Sequence, residues 1–330
     1  MDHRPPARSR RARRQSPLVE RHTARPVSRN SPGPIAIVGA GGFVGRHLAA
    51  RLQRDGLAPR CIARDPARAA AVLPAGADLR AGELLDGASL AAALEGVDAI
   101  VHCAAITADR KERYPGEYRR VHVDGTRTLV DAARARSVSR IVLMNGLGTR
   151  PGKAGSYMRT RWEMGETVRQ SGLGWVALQP SVLFGDGAAF PAAFARLSRQ
   201  LPVMPVLGGG TRLQPLWIED LVTCLAMACA TTRWDGRAID LGGPEQLTFS
   251  EMLDLIMDAT GRRRPKVPLP LPIARVQARL MSVLPNPPLV PATLELFDFD
   301  NVTELDAVPR NFGFQPRGVR EHLREHGLDG

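Results

Sequence analysis

From Pro34 onward the chain alternates short apolar runs with amphipathic stretches. Ile35–Val38 is apolar throughout and is followed at once by glycine. Such a run predicts a strand buried on both faces. Phe43–Arg54 then shows helical periodicity. Ala58–Ala63 predicts a second strand and Ala77–Ala81 a weaker third. Ala99–Cys103, Ile141–Met144 and Trp175–Leu178 predict the fourth to sixth. Between them, Ser89–Leu94 lies in a short helix. Tyr118–Ala135 forms a longer one, with Val121, Leu129 and Val130 on its apolar side, and Tyr157–Arg169 forms another. Strands alternating with helices at this spacing predict an α/β fold, a doubly wound parallel sheet covered on both faces.

Beyond Pro180 the rhythm loosens. Strands are expected at Leu216–Ile218 and Ala238–Leu241, and helices near Glu219–Ala230 and Phe249–Thr260. Pro265–Pro291 is rich in proline and predicts one helix, about Ile273–Leu284. Leu294–Phe297 and Val319–His326 are expected to be helical. The expected organisation is a basic tail over 1–33, a main domain over 34–180, and a smaller C-terminal α/β lobe over 181–330. The lobe is expected over the open edge of the sheet, partly interleaved with the main domain. No internal repeat is visible.

Charge changes the picture mainly at the start. Residues 1–33 hold nine arginines against Asp2 and Glu20, so over half of the net charge of +12 lies there. Large apolar side chains are sparse, too few to offset the entropy of ordering, so a solvated tail is expected. Arg and Ser enrichment also fits an organellar transit peptide, although Pro5, Pro6 and Pro17 interrupt an amphipathic helix. A start codon assigned too early is a third reading. A basic tail attracts nucleic acid or anionic membrane. No nucleic-acid motif follows and no aromatic residue interleaves with the arginines, so no nucleic-acid partner is expected. The longest apolar stretch, Leu221–Ala230, falls short of the roughly 18 residues of a membrane span. A cytoplasmic location is expected, with peripheral contact at the inner face of the membrane left open. The mitochondrial matrix is the alternative if the tail is a transit peptide. The four cysteines, Cys61, Cys103, Cys224 and Cys229, form no C-x-x-C pair. No His stands at ligand spacing beside them, so reduced thiols and no metal are expected.

The chemistry concentrates where the first strand meets the first helix, at Gly39-Ala-Gly41-Gly42-Phe43-Val44-Gly45. Glycine at 39 and 42 permits a tight turn and close approach to a pyrophosphate, and glycine at 45 lets helix and strand pack closely. The helix start adds free N–H groups and the positive end of its dipole. A strand before, a helix after and a βαβ unit around it are the context such a motif requires. A bound dinucleotide is therefore expected.

The G-x-x-G-x-x-G spacing resembles the short-chain dehydrogenase/reductase (SDR) superfamily of Rossmann type, in its extended or atypical branch. Asp98-Ala-Ile-Val-His-Cys-Ala-Ala105 resembles its fourth strand, with Cys103 in the place of Asn. Val121-His-Val-Asp-Gly-Thr126 resembles the helix Val-Asn-Val-x-Gly-Thr, with His122 for Asn. Tyr157-Met-Arg-Thr-Arg161 takes the place of Tyr-x-x-x-Lys, and Gln179-Pro-Ser-Val-Leu-Phe-Gly185 that of Arg-Pro-Ser-x-x-Phe-Gly. In the lobe, 201–205, 208–215, 241–249 and Phe299-Asp-Asn301 resemble one subgroup. It is that of the nucleotide-binding accessory subunit of respiratory complex I and its bacterial relatives. The resemblance spans about Pro34 to His326. It implies cofactor contacts from Gly39 to Gly45 and at Arg64, Glu83 and Leu84. It further implies Cys103, Ala104 and Ala105, Tyr157 and Arg161, and Pro180 and Val182.

NAD-binding folds place an acid about 20 residues after the glycines. Here the second strand ends Ala63-Arg64-Asp65, and Arg64, with Arg68 nearby, suits a 2′-phosphate. NADP(H) is the favoured cofactor; adjacent Asp65 keeps NAD(H) open. In active relatives the Tyr is acid/base, the Lys lowers its pKa and holds the nicotinamide ribose, and a Ser steadies the substrate oxygen. Here Tyr157 stays, Arg161 replaces Lys, and Asn145 and Gly146 stand where Ser is usual. Asn145 has an amide to offer an oxygen. The resemblance implies an NAD(P)-binding protein with an eroded catalytic site. Its expected role is an accessory or assembly factor of a membrane respiratory or quinone-synthesis complex. The alternative is an active oxidoreductase, epimerase or dehydratase using Tyr157 with Arg161. His102 and His122 are expected to be structural, and Trp162, Trp175 and Trp217 core anchors.

Overall fold

A computed structural model describes residues 33–328 except 153–155, 286 and 288, so the expectations for the tail lie almost wholly outside it. Strand β1 (Ile35–Val38) is buried at all four positions, as its unbroken apolar run requires. Helix α1 (Phe43–Arg54) buries Val44, Leu48 and Leu52 on one stripe. Next come β2 (Arg60–Ala63), the short α2 (Pro66–Ala70), β3 (Asp78–Ala81), α3 (Gly87–Ala93) and β4 (Ala99–His102). Asp65 and Asp86 cap α2 and α3 by accepting backbone N–H bonds.

The single helix expected over Tyr118–Ala135 is broken. A short α4 (Glu117–Arg119) passes through a π-helical turn, Arg120–Asp124, into α5 (Gly125–Ala135). The extra residue of a π turn shifts the phase of the apolar stripe between α4 and α5. The turn holds His122 inward, bonded to Thr160 Oγ1 at 2.9 Å and accepting the Ile106 N–H at 3.1 Å. β5 (Arg140–Met144), α6 (Tyr157–Arg169) and β6 (Gly174–Pro180) complete the first half.

The main sheet has seven parallel strands. Its order is Arg237–Leu241, β6, β5, β4, β1, β2, β3. The order reverses at β1, so a crevice opens beyond the C-terminal ends of β1 and β4, the usual ligand position in such sheets. The seventh strand comes from far beyond Pro180 and lies beside β6, Ile239 opposite Leu178. Helix Ile218–Ala230, buried along most of its length, packs against α1 on the same face.

The rest of the second half surrounds a separate core that includes Phe184, Phe249, Leu253 and Ile256. Three two-stranded pairings frame it, among them Met204–Leu207 with Lys266–Leu269. Of these short strands only Leu216–Trp217 was expected, within Leu216–Ile218; helices Ala189–Gln200 and Ala307–Phe312 were not. The helix expected at Leu294–Phe297 is instead Pro291–Glu295, started by proline at its first position. That expected at Ile273–Leu284 runs Leu271–Met281. Ser181 Oγ donates to Asn301 Oδ1 at 2.6 Å, and Asn301 Nδ2 donates to Leu147 O at 3.2 Å. That pair ties the late segment to the loops after β5 and β6.

His102 on β4 is fully buried with Nε2 2.9 Å from Thr126 Oγ1. Burial, reinforced by the Arg161 charge, holds the His102 and His122 imidazoles down to about 3. The unfolded chain takes up these protons near pH 6.5, as an order of magnitude, while the folded chain does not. Stability should therefore fall as pH drops below that value, by about 1.4 kcal/mol per pH unit for each extra proton bound on unfolding. Urea midpoints at neutral pH and in mild acid measure this. His122→Asn, which cannot titrate, should lessen the acid loss.

Candidate functional site

The turn between β1 and α1 is built on two glycines. Gly39 has φ +86°, and a Cβ there would lie 2.8 Å from Ala104 N on the loop after β4. A Cβ at Gly45 would lie 2.4 Å from Gly39 O. Neither position admits a side chain without moving backbone. The N–H groups of Gly39 and Ala40 both donate to Ile62 O, at 3.0 and 3.2 Å, which pins the turn to β2. Gly42 is the N-cap of α1, with no side-chain cap and no acid in the first turn. The first helical amides, at Phe43 and Val44, are left for an outside acceptor. This is a backbone cradle of the polarity a pyrophosphate requires.

Arg64 stands just past the end of β2, largely exposed, with Nε 3.8 Å from a Glu83 carboxylate oxygen. Asp65 is engaged elsewhere, accepting the Arg68 N–H at 3.0 Å as the cap of α2. Glu83, just beyond β3, donates its N–H to Ser89 Oγ at 3.0 Å, and Leu84 is buried. Cys103 donates its N–H to Val38 O at 2.9 Å, and burial pushes its thiol up to about 12. Ala104 packs under Gly39, with Ala105 beside it and half-buried. Pro180 ends β6 and accepts the Leu147 N–H at 2.9 Å, and half-buried Val182 packs on the core of the second half.

Tyr157 is the first residue of α6 and packs beside Ala108, Tyr118, Val290 and Ala292. Its ring meets those of Tyr118 and His122 edge-on, at centroid distances of 5.4 and 5.7 Å. The N–H groups of Tyr157 and Met158 each donate to the Glu295 carboxylate at 3.1 Å. Ser156 Oγ takes the Arg159 N–H. Glu295 was not foreseen, because nothing local marks a partner 138 residues away. Burial raises the Tyr157 phenol above its ordinary value, and the opposing pull of Arg161 is weaker.

Arg161 follows one turn later, as the spacing predicts, and is 4% exposed. Its Nη2 donates to Met144 O at 3.2 Å and its Nη1 to Met164 Sδ at 3.6 Å. Among the described residues no carboxylate lies within ion-pair distance of it. Asn145 donates Nδ2 to Arg161 O at 3.2 Å, and its buried Oδ1 has no partner there. The amide that sequence offers to a substrate oxygen is thus turned into α6. Ser156, another hydroxyl near the site, is engaged as the cap of that helix. Trp175 and Trp217 pack against cores, whereas Trp162 lines an open groove with Arg119 and Gln170 on the outer side of α6. No metal-holding cluster occurs, and no helix is long and apolar enough to cross a membrane, among the described residues. All four cysteines are free.

With this geometry in place, comparison with known proteins is informative. The profile of an NAD(P)H-binding family matches residues 39–195. Over 210 residues the chain is 30% identical to a ceramide reductase of Caulobacter vibrioides, covering 62% of this chain and 63% of that protein. It spans only 29% of a longer Mycobacterium tuberculosis protein that is 27% identical over 291 residues. An NAD(P)H azoreductase of Xenophilus azovorans is 26% identical over 298 residues, 88% of this chain and 97% of the relative. The fold also matches an NADPH-dependent quinone oxidoreductase of Escherichia coli, solved with NADPH. That match has a TM-score of 0.70 and 18% identity, and covers 88% of this chain and 99% of the other. The glycine cradle, the reversal of strand order beside it and the matched profile agree: the chain carries an NAD(P)H-binding domain of the Rossmann type.

Proposed function

We propose that the chain binds NADP(H) on the Gly39–Gly45 turn and reduces a conjugated, apolar acceptor of the quinone class. The observation that carries this reading is the orientation of Asn145, whose amide donor faces Arg161 O. A ketone or aldehyde needs a donor and a proton at its developing alkoxide. Asn145 is engaged, and burial makes Tyr157 a weaker acid than a free phenol. When bound, the cofactor supplies a hydride. A quinone accepts that hydride into its conjugated system and takes the balancing proton from water, leaving hydroquinone and oxidised cofactor. No side chain in the site has to titrate. The names of the azoreductase relative and of the quinone oxidoreductase of like fold, one an azo reductase and the other a quinone reductase, support a conjugated acceptor.

Preference for the phosphorylated cofactor rests on Arg64. It is exposed at the end of β2, while Asp65, the acid that would hold an unphosphorylated ribose, caps α2.

A second reading is favoured by the substituted Ser and Lys positions together with the C-terminal motifs. In it the bound dinucleotide is structural or sensory, and the chain is an accessory or assembly factor of a membrane respiratory or quinone-synthesis complex. Arg161, buried and holding Met144 O, then serves as a brace between α6 and β5.

Cofactor oxidation with a soluble quinone separates the two. The reductase reading expects turnover with NADPH favoured over NADH by about tenfold or more, and Arg64→Glu should reverse that order. Tyr157→Phe should retain activity within about threefold; a loss of about a hundredfold or more would instead make the phenol the proton donor. Tight NADPH binding with no turnover on quinones supports the accessory reading. Gly42→Asp should place a capping carboxylate on the amides reserved for phosphate. NADPH affinity should fall by about tenfold or more.

A further inference from the structure

Helix Leu271–Met281 is built inside out. It turns Ala274 and Ala278 inward, both fully buried. Ile273, Val276 and Leu280, at helical spacing, are 50%, 56% and 71% exposed. Val283, at 82%, and Leu284, at 46%, continue the apolar surface past the helix end. Seven of the eleven large exposed hydrophobics of the described chain lie between Val267 and Leu284. A surface helix ordinarily shows the reverse pattern, and scattered exposure does not account for a contiguous stripe.

Charge states what covers the stripe. Between Asp258 and Glu295 there are six basic residues and no acid: Arg262, Arg263, Arg264, Lys266, Arg275 and Arg279. Arg263, Lys266 and Arg275 pair with Asp258, Asp254 and Asp298 from neighbouring segments. Arg262 and Arg279 have no ion pair among the described residues. Lys111 reaches the same place, donating to Leu284 O at 3.1 Å. The stripe has no aromatic anchor of the kind that dominates protein interfaces. Two copies packed through it about a two-fold axis would add Arg279 of each, which has no ion pair among the described residues, to one interface with no acid on this segment to offset them. The chain's own first 32 residues carry charge of the same sign and few large apolar groups, so they do not complement it either.

We propose that this helix and the Val283–Leu284 turn seat the protein on an anionic lipid surface. The aliphatic stripe enters the headgroup boundary and the arginines contact phosphate groups. The seat lies next to the site: the helix packs on Pro291–Glu295, whose Glu295 caps α6 at Tyr157. The proposal stands apart from the acceptor assigned above, because lipid binding is read without turnover.

The test is flotation of the full-length chain with vesicles of phosphatidylcholine, alone or mixed with phosphatidylglycerol. Binding to the mixed vesicles only is expected. A triple variant, Ile273→Gln, Val276→Gln and Leu280→Gln, should lose about tenfold in affinity. Its melting temperature and NADPH binding should stay unchanged. If the triple variant folds poorly, Leu280→Gln alone, at the most exposed position of the helix, should still weaken binding. Replacing Arg10, Arg11, Arg13 and Arg14 by Gln in the full chain should leave most of the binding intact. Absence of flotation by the unaltered chain overturns the proposal, as does equal binding of the triple variant. So does loss of binding in the tail variant alone. A concentration-dependent dimer that the triple variant dissolves, without vesicle binding, would assign the stripe to a second copy instead.

Discussion

The contact between Gly39 and Ala104 sets the geometry of everything around the crevice. Two adjacent parallel strands end side by side, and the loops that leave them turn in opposite directions. They can do so at this distance because no Cβ stands at position 39. The turn then aims the start of α1 along the strand ends, where its unpaired amides meet the crevice. The bonds from Gly39 and Ala40 to Ile62 O fix the same turn relative to β2, at whose end Arg64 stands. Cofactor position is thus determined by backbone packing, and the side chains only select among dinucleotides.

A second constraint reaches the other wall. Glu295 belongs to the distant half of the chain, yet its carboxylate closes the N-terminus of α6. A charged acceptor on two amides at a helix start is favourable both as hydrogen bonding and through the helix dipole. The rotation of α6, and with it Tyr157 and Arg161, is therefore set by the second half. Arg161 is held from the opposite side by Met144 O and through Asn145. The phenol and guanidinium sit in a frame whose bonds are made by backbone groups, which explains how cofactor binding and reactivity can diverge in such a site.

Legibility in the sequence followed locality. β1, α1 and α6 have the ends that their apolar runs, glycines and periodicity indicated. Alternation indicated a parallel sheet, but not that the strand at 237–241, expected in the C-terminal lobe, joins it beside β6, because a pairing across more than fifty intervening residues, as an order of magnitude, leaves no local pattern. The π turn at Arg120–Asp124 was invisible because one inserted residue leaves the composition of the stripe unchanged. Two-residue strands such as Leu183–Phe184 carry no period at all, and they exist only because Leu216–Trp217 lies alongside. Asn145 was found by resemblance, but not the direction of its amide, which depends on the backbone of α6. Glu295 was missed for the same reason, since a cap supplied from another element leaves no trace beside the helix it caps.

The strand Arg237–Leu241 has a consequence for biosynthesis. During translation β6 emerges more than fifty residues, as an order of magnitude, before the segment that covers its outer edge. Until then the nascent sheet presents a row of unsatisfied amides and carbonyls, a template for pairing with another chain. That edge is covered only when Arg237–Leu241 pairs with β6, so the sheet's exposure ends with the synthesis of the second half.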